Sequence, residues 1–378
     1  MNREEYILKA KEQFEELLRE QLDRADMMAD KKTSAYQKET FTIGLIDGDG
    51  IGPIIMKEAR DLLEVLLSDE IAKGSVTLKN IEGLTIENRK RCGQSVPGAV
   101  LDEIKACDVL LKGPTETPRG GTMESANVTL RRELDLYANV RPVRVPELGI
   151  DWTFFRENTE GEYVLGSRGI EIPGVLSMDF KVTTEKGTER IARAAFEYAL
   201  KNGKNRAAIV TKANIMKKTD GSFSDICHKT AADYPEIKAE DWYVDIMAAN
   251  LINPDMRSQF QVFILPNLYG DILTDEAAEI QGGVGTAGSA NIGDRYAMFE
   301  AIHGTAPRMI EDGLQDYVNP LSIFTAEEML LRHSGFTAEA DRLKAALDKT
   351  QSPDAPRVTG TAEGAKTKEL TDYIYSFL

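Results

Sequence analysis

Tyr6, Ala10, Phe14, Leu17, Leu18 and Leu22 recur at helical spacing, which predicts an amphipathic helix over residues 3 to 28. Its apolar stripe has two alternative seats, the chain's own body or a partner subunit. Polar residues between 29 and 40 then read as a linker. From Thr42 the period changes to strand, Gly-rich turn and helix: FTIGLI, DGDGIGP, then IIMKEARDLLEVLL. The same alternation recurs at DVLLKGP, at AAIVTKAN and at QVFILPNLYGD, so the fold class is α/β. Between about Tyr163 and Val182 glycines, β-branched residues and a proline without helical period predict short strands or an arm. The segment TGTAEGAKTKELTDYIYSFL reads as a loop and a last helix, and no internal repeat or low-complexity tract occurs.

Two glycine patterns invite a dinucleotide-binding reading. GVGTAG at 283 to 288 fits G-x-G-x-x-G, but TDEAAEIQG before it has helical rather than strand character. DGDGIG does stand between strand and helix, yet lacks the third glycine at the expected spacing. Glycines also serve plain turn geometry, and a Rossmann fold is not expected.

Composition narrows the class. With 378 residues and 42% hydrophobic content the chain can bury two or three domain cores. A formal charge of -16 disfavours nucleic acid and anionic membranes as partners. Cys92, Cys107 and Cys227 are odd in number and suit neither a disulfide framework nor a zinc site, as expected of a reducing cytoplasm. The first thirty or so residues carry acids throughout and resemble neither a secretory signal nor a transit peptide, and no apolar run is long enough to span a bilayer.

In so acidic a chain, local concentrations of cations stand out. Arg131, Arg132, Arg141 and Arg144 lie within one short stretch, and Arg156 follows in FFRENTEGEY. The guanidinium fork suits bidentate carboxylate recognition. Asp271 and Asp275, four apart at a helix start, project from one face and repel unless a cation compensates them, and such oxygen ligands suit Mg2+ or Mn2+. Taken singly, these residues read as surface ion pairs and a solvated helix start; Arg131, Arg141, Arg156 and two aspartates together describe a site for a metal-chelated polycarboxylate. Lys212 lies just after the apolar strand AAIVT, at the strand end where α/β proteins place ligands, and Tyr163 stands seven residues after Arg156. Both can exchange protons where neighbouring cations lower their pKa values. His303 sits among Gly and Pro in FEAIHGTAP, which suits a histidine in or under a ligand loop better than a zinc ligand.

GDGIGP, LKGPTETP, SANVTLRRELDLYANVRPVR, FRENTEGEY, TKANIMK, NLYGDILTD, SANIGD and FEAIHGTAP follow one another in the order found in the isocitrate and isopropylmalate dehydrogenases, and from about residue 42 the chain resembles that β-decarboxylating family. The resemblance implies a non-Rossmann, isopropylmalate-dehydrogenase-like fold with a cleft. It implies a large cofactor-binding domain over 41–136 and 286–378, a small dimerising domain over 137–285 with a clasp at about 161–185, and leaves 1–40 as an N-terminal addition. It further implies a homodimer in which the partner supplies the residues matching Lys212 and Asp245, while Asp271 and Asp275 complete the metal site. Arg131, Arg141 and Arg156 would hold substrate carboxylates, and Tyr163 and Lys212 would form the proton-transfer pair. The matching cofactor positions are Thr117, Asn127, Glu300, His303, Gly304, Thr305, Ala306, Arg308, Asn319 and Arg357.

Substrate choice in this family rests on the residues that meet the third substituent, here Ser125 and Asn127. The segment resembles isocitrate dehydrogenases, whose serine bonds the extra carboxylate; isopropylmalate enzymes have apolar side chains there. Glu124 is a departure, because it places an anion beside Ser125. Arg308 and Arg357 lean the cofactor slightly to NADP over NAD. The alternatives are a dehydrogenase for 3-isopropylmalate, homoisocitrate or tartrate, or a non-catalytic regulatory subunit.

Overall fold

The computed structural model describes residues 3–29, 40–118, 123–166 and 168–378, so most of the expected linker lies outside the described residues. The chain divides into two compact units, one joining the N-terminal helix to Leu148–Leu273, the other joining Tyr36–Glu147 to Thr274–Leu378. In chain order the strands are β1 (Phe41–Ile46), β2 (Val76–Asn80), β3 (Val109–Lys112), β4 (Ala138–Val145), β5 (Ile150–Glu157), β6 (Ile170–Ile172), β7 (Leu176–Met178), β8 (Arg206–Thr211), β9 (Lys238–Tyr243), β10 (Val262–Leu265), β11 (Gly288–Ile292) and β12 (Ala297–Ala301). The α/β class is as the sequence predicts.

In the unit containing β1, the strands run in the order β2-β1-β3-β12-β11-β4. β1, β2, β3 and β12 are mutually parallel, and β11 runs antiparallel to both β12 and β4. β3 is buried along its whole length, as expected of a strand covered on both faces. The turn after β1 explains its glycines. Gly48 and Gly50 have φ of 77° and 59°, and a Cβ on either would stand 2.1 Å from the carbonyl oxygen of Pro114 or Thr305. Asp49 accepts from the backbone N–H groups of Ile86 and Glu116, each at 2.8 Å. The GDGIGP turn is thus a brace gripping two loops. Helix Gly52–Leu66 follows with Pro53 in its first turn, burying Ile55, Met56, Ala59, Leu62, Leu63 and Leu66 at helical spacing.

Helix Leu321–His333 carries an anomaly. Glu327 is fully buried, and neither carboxylate oxygen has a hydrogen-bond partner among the described residues. Burial pushes its pKa well above 4.5. The folded state therefore holds this proton more tightly than the unfolded chain, and stability falls as pH rises above 4.5. Glu327→Leu is expected to stabilise the protein by about 1–3 kcal/mol, the usual penalty of an unpartnered buried polar group, with the gain growing from roughly pH 5 to pH 8. Thermal melts at both pH values check it; a variant less stable at both would show that the carboxyl has a structural task.

The other unit holds a parallel sheet in the order β5-β10-β8-β9. Phe154 stacks on Phe263 at 4.2 Å with Trp152 edge-on, which makes an aromatic centre between β5 and β10. Helix Glu185–Lys201 begins with Thr184 capping Gly187 N and buries Ile191, Ala195 and Phe196. The expected arm contains the antiparallel pair β6 and β7. The N-terminal helix, Arg3–Ala29, divides its stripe: Leu17 and Met28 are buried while Phe14, Leu18 and Leu22 stay exposed. Its inward row includes the polar Gln13 and Arg24, each committed to a bond: Gln13 Nε2 donates to Gly169 O at 2.8 Å, and Arg24 pairs with Glu160. Among the described residues no helix is long and apolar enough to cross a membrane.

Candidate functional site

In the unit built on β5, Arg156 is the penultimate residue of that strand and is buried at 1% exposure. It is oriented by Asn267, whose Oδ1 accepts from Arg156 Nε at 3.0 Å and Nη2 at 2.6 Å. Its third nitrogen, Nη1, donates to Asp271. Gly270 makes this approach sterically feasible, since a Cβ there would meet Arg156 Cγ at 2.5 Å. Tyr163 donates its O–H to the other Asp271 oxygen at 2.8 Å, and the Arg156 guanidinium lies 5.4 Å from its ring centre. Three expected site residues thus form one cluster.

A second cluster in this unit joins Lys212 to Asp245, Nζ to Oδ1 at 2.7 Å. That hydrogen bond holds the Asp245 pKa below its ordinary value. Lys212 follows β8, and its backbone N–H donates to Asp220 Oδ2 at 2.7 Å. Asp220 is wholly buried, paired with Lys181 at 2.6 Å and bonded to Tyr269. One carboxylate therefore fixes both TKAN and NLYGD.

In the unit built on β1, the centre is Glu300 on β12. Its carboxylate receives Lys112 Nζ at 3.2 Å, Arg131 Nη2 at 3.0 Å and Asn291 Nδ2 at 2.8 Å. Burial alone would raise its pKa; Lys112, then Arg131, hold it down at about 2. Lys112 is wholly buried, which lowers its own pKa against the pull of Glu300. Asn139 extends the network to Ser289 and Asn291. Arg141 Nη1 donates to Thr274 at 2.6 Å and Asp275 at 3.0 Å. A pocket of about 140 Å³ is lined by Thr115, Asn127, Arg131, Arg141, Ser289, Glu300, His303 and Gly304 among others, six of them expected from sequence.

Ser125 is the N-cap residue of helix Ala126–Glu133, and its side chain makes no capping bond. Glu124 is engaged elsewhere: Arg132 grips both its oxygens at 2.9 and 2.8 Å, and Thr129 Oγ1 donates at 2.8 Å. Burial lowers the His303 pKa and favours neutral imidazole, with Nδ1 3.0 Å from Gly304 O. Ala306 adopts φ of 43° at the entry to helix Pro307–Glu311, which presents an exposed Arg308. Arg357 is exposed too, in a loop passing Met309: a Cβ on Gly360 would lie 3.9 Å from Met309 Cε. Thr305 supplies the carbonyl bound by Ile51 N, Thr117 is exposed, and Asn319 accepts from Leu321 N at 3.0 Å.

Among the described residues no three His, Cys, Asp or Glu side chains gather as a metal site. The donor chemistry nevertheless fits a hard divalent cation. Asp271, in the unit that ends at Leu273, and Asp275, in the unit that resumes at Thr274, each offer carboxylate oxygens and each already holds a guanidinium, of Arg156 and Arg141 respectively. Lys112, Asn139, Asn267, Asn291, Thr115 and Ser289 were not legible as site residues, although all six lie inside motifs that were: Lys112 and Thr115 in LKGPTETP, Asn139 in SANVTLRRELDLYANVRPVR, Asn267 in NLYGDILTD, and Ser289 and Asn291 in SANIGD.

Comparison with known proteins bears on this arrangement. The family model described as isocitrate/isopropylmalate dehydrogenase matches residues 42–374. A probable isocitrate dehydrogenase [NAD] subunit alpha, mitochondrial, from Caenorhabditis elegans is 38% identical over 81% of this chain and 83% of its own length. A 3-isopropylmalate dehydrogenase from Methanothermobacter thermautotrophicus is 36% identical over 86% and 97%. The crystal structure of isocitrate dehydrogenase from Methylococcus capsulatus matches with a TM-score of 0.79 at 34% identity, over 89% of this chain and 99% of that one.

Proposed function

The chain belongs to the isocitrate/isopropylmalate dehydrogenase family, and from that premise we propose that it oxidatively decarboxylates isocitrate to 2-oxoglutarate and CO2 while reducing NAD or NADP. The observation that carries the choice of substrate is the engagement of Glu124 by Arg132 and Thr129, beside a Ser125 hydroxyl not used as a cap. With Glu124 neutralised, a hydroxyl and the Asn127 amide suit a carboxylate and leave an isopropyl group badly matched.

Arg131, Arg141 and Arg156 bind substrate carboxylates through their planar forks. Lys212, as the free amine, takes the proton of the 2-hydroxyl as C2 is oxidised and becomes the ammonium. Tyr163, its O–H aimed by Asp271, delivers a proton to C3 after CO2 departs. Mg2+ or Mn2+ held by Asp271 and Asp275, with Asp245 of a second copy, would neutralise developing charge on substrate oxygens, and the nicotinamide would accept the hydride. We assign Lys212 and Asp245 to the site of the second copy in a homodimer. The exposed Arg308 and Arg357 suit a 2′-phosphate and lean the cofactor to NADP; paired kcat/KM values for the two cofactors decide this.

The test is formation of reduced cofactor by the purified chain alone, with Mg2+, on isocitrate, 3-isopropylmalate, homoisocitrate and tartrate. Turnover is expected with isocitrate. Turnover of another acid in its place would reassign the substrate, and none at all would favour a regulatory subunit.

A further inference from the structure

The family match begins at residue 42, so the N-terminal helix lies outside it, and its contacts bracket Tyr163. On one side, Arg24 Nη2 donates to Glu160 Oε1 at 3.0 Å, with the side chains only 18% and 4% exposed. Gln21 holds the guanidinium in place, accepting from Arg24 Nε at 3.0 Å. On the other side, Leu17 forms one apolar cluster with Val164 and Leu165, the residues directly after Tyr163, and with Phe180 and Val182. The segment Glu160–Leu165 is gripped at both ends.

Glu160 also reaches the arginine cluster. Its carbonyl accepts from Asn267 Nδ2 at 3.0 Å, and Asn267 holds Arg156. Its carboxylate accepts from Thr184 N at 2.8 Å, and its N–H donates to Glu157 at 2.6 Å. Two buried acids so close require counter-charge: burial, and then the charge of Glu160, push Glu157 up to about 7. Arg190 faces Glu157, and Arg24 is the cation the N-terminal helix brings to Glu160.

We propose that the N-terminal helix is a clamp on the Tyr163 segment, with Arg24 a positioning residue that acts through Glu160 on proton delivery. This rests on the reading of Tyr163 as the group that protonates C3. Removing the guanidinium leaves a buried carboxylate without its charge partner, so Glu160 must shift toward water and carry the neighbouring backbone with it.

The test uses the full chain. Arg24→Met keeps the apolar stem and removes the charge; Arg24→Lys keeps the charge. Two rates are read: kcat, and solvent deuterium exchange at C3 of the 2-oxo acid product with Mg2+ and reduced cofactor. Arg24→Met is expected to lower both by about tenfold with KM for the acid within about twofold, as for a misdirected proton donor, and Arg24→Lys to recover part of both. Should the Met variant melt below the assay temperature, Arg24→Gln, which keeps an N–H donor for Glu160, takes its place. Unchanged kcat and exchange in these variants, alongside a Tyr163→Phe protein that has lost both, would overturn the clamp and leave the role of Tyr163 intact. A Tyr163→Phe protein that keeps both would overturn the reading of Tyr163 and the clamp with it.

Discussion

Lys212→Met will lower kcat by about 10²- to 10⁴-fold, the range general acid–base groups contribute, while leaving the melting temperature nearly unchanged. The second half of that expectation follows from how the residue is held. Its backbone N–H is fixed by the buried Asp220, a bond indifferent to the side chain, and Nζ contacts Asp245, itself more than half exposed. Methionine keeps the length and apolar stem and removes only the ammonium. Since an exposed ion pair contributes little to stability, a large fall in kcat with an unchanged melt isolates the chemistry. Near-normal kcat with saturating acid and Mg2+ would mean that another group takes the hydroxyl proton.

Glu300→Gln will destabilise the fold by about 3–5 kcal/mol, the effect of leaving a buried charge without its partner, and will weaken acid binding. Lys112 is completely buried, and the amide cannot balance it and Arg131 together. The pH dependence has a definite sign. The folded-state pKa of Glu300 is depressed from 4.5 to about 2, so its stabilisation is present above 4.5 and is lost as pH falls through that window. The gap between wild type and variant should therefore be full near pH 7 and narrow below about pH 4. Urea unfolding across that range measures it. A constant gap would show that Glu300 acts through shape rather than charge.

Much of this fold could be read from apolar runs. FTIGLI, AAIVT and VFIL are strands, as short apolar runs rich in β-branched or aromatic residues suggest, and the helix after DGDGIGP carries its buried residues at the expected period. GVGTAG was rightly set aside as a phosphate loop: a helix precedes it and a 3₁₀ turn forms within it. The arginines were legible because their charge stood out in an acidic chain, and Asp271 and Asp275 because they stand four residues apart at a helix start. The polar groups behind them were not. Asn139, Asn291 and Lys112 lie within strands, where a single polar side chain gives no sign of whether it meets solvent or a partner up to 188 residues away, as Glu300 is from Lys112. Periodicity likewise marked one face of the N-terminal helix without revealing that its inward row would include Gln13 and Arg24. Glu124 read as an objection to a carboxylate ligand because its neighbour in sequence was visible and its partner Arg132, one helix away, was not assignable.

The single carboxylate of Asp220, tied to the backbone of Lys212, the ammonium of Lys181 and the hydroxyl of Tyr269, makes three distant stretches of sequence one heritable unit. A drift at any of them disturbs the other two, so such changes must arrive together or not at all. A library that randomises these positions one at a time will find few survivors, whereas one that varies them jointly can explore other ways of seating Lys212.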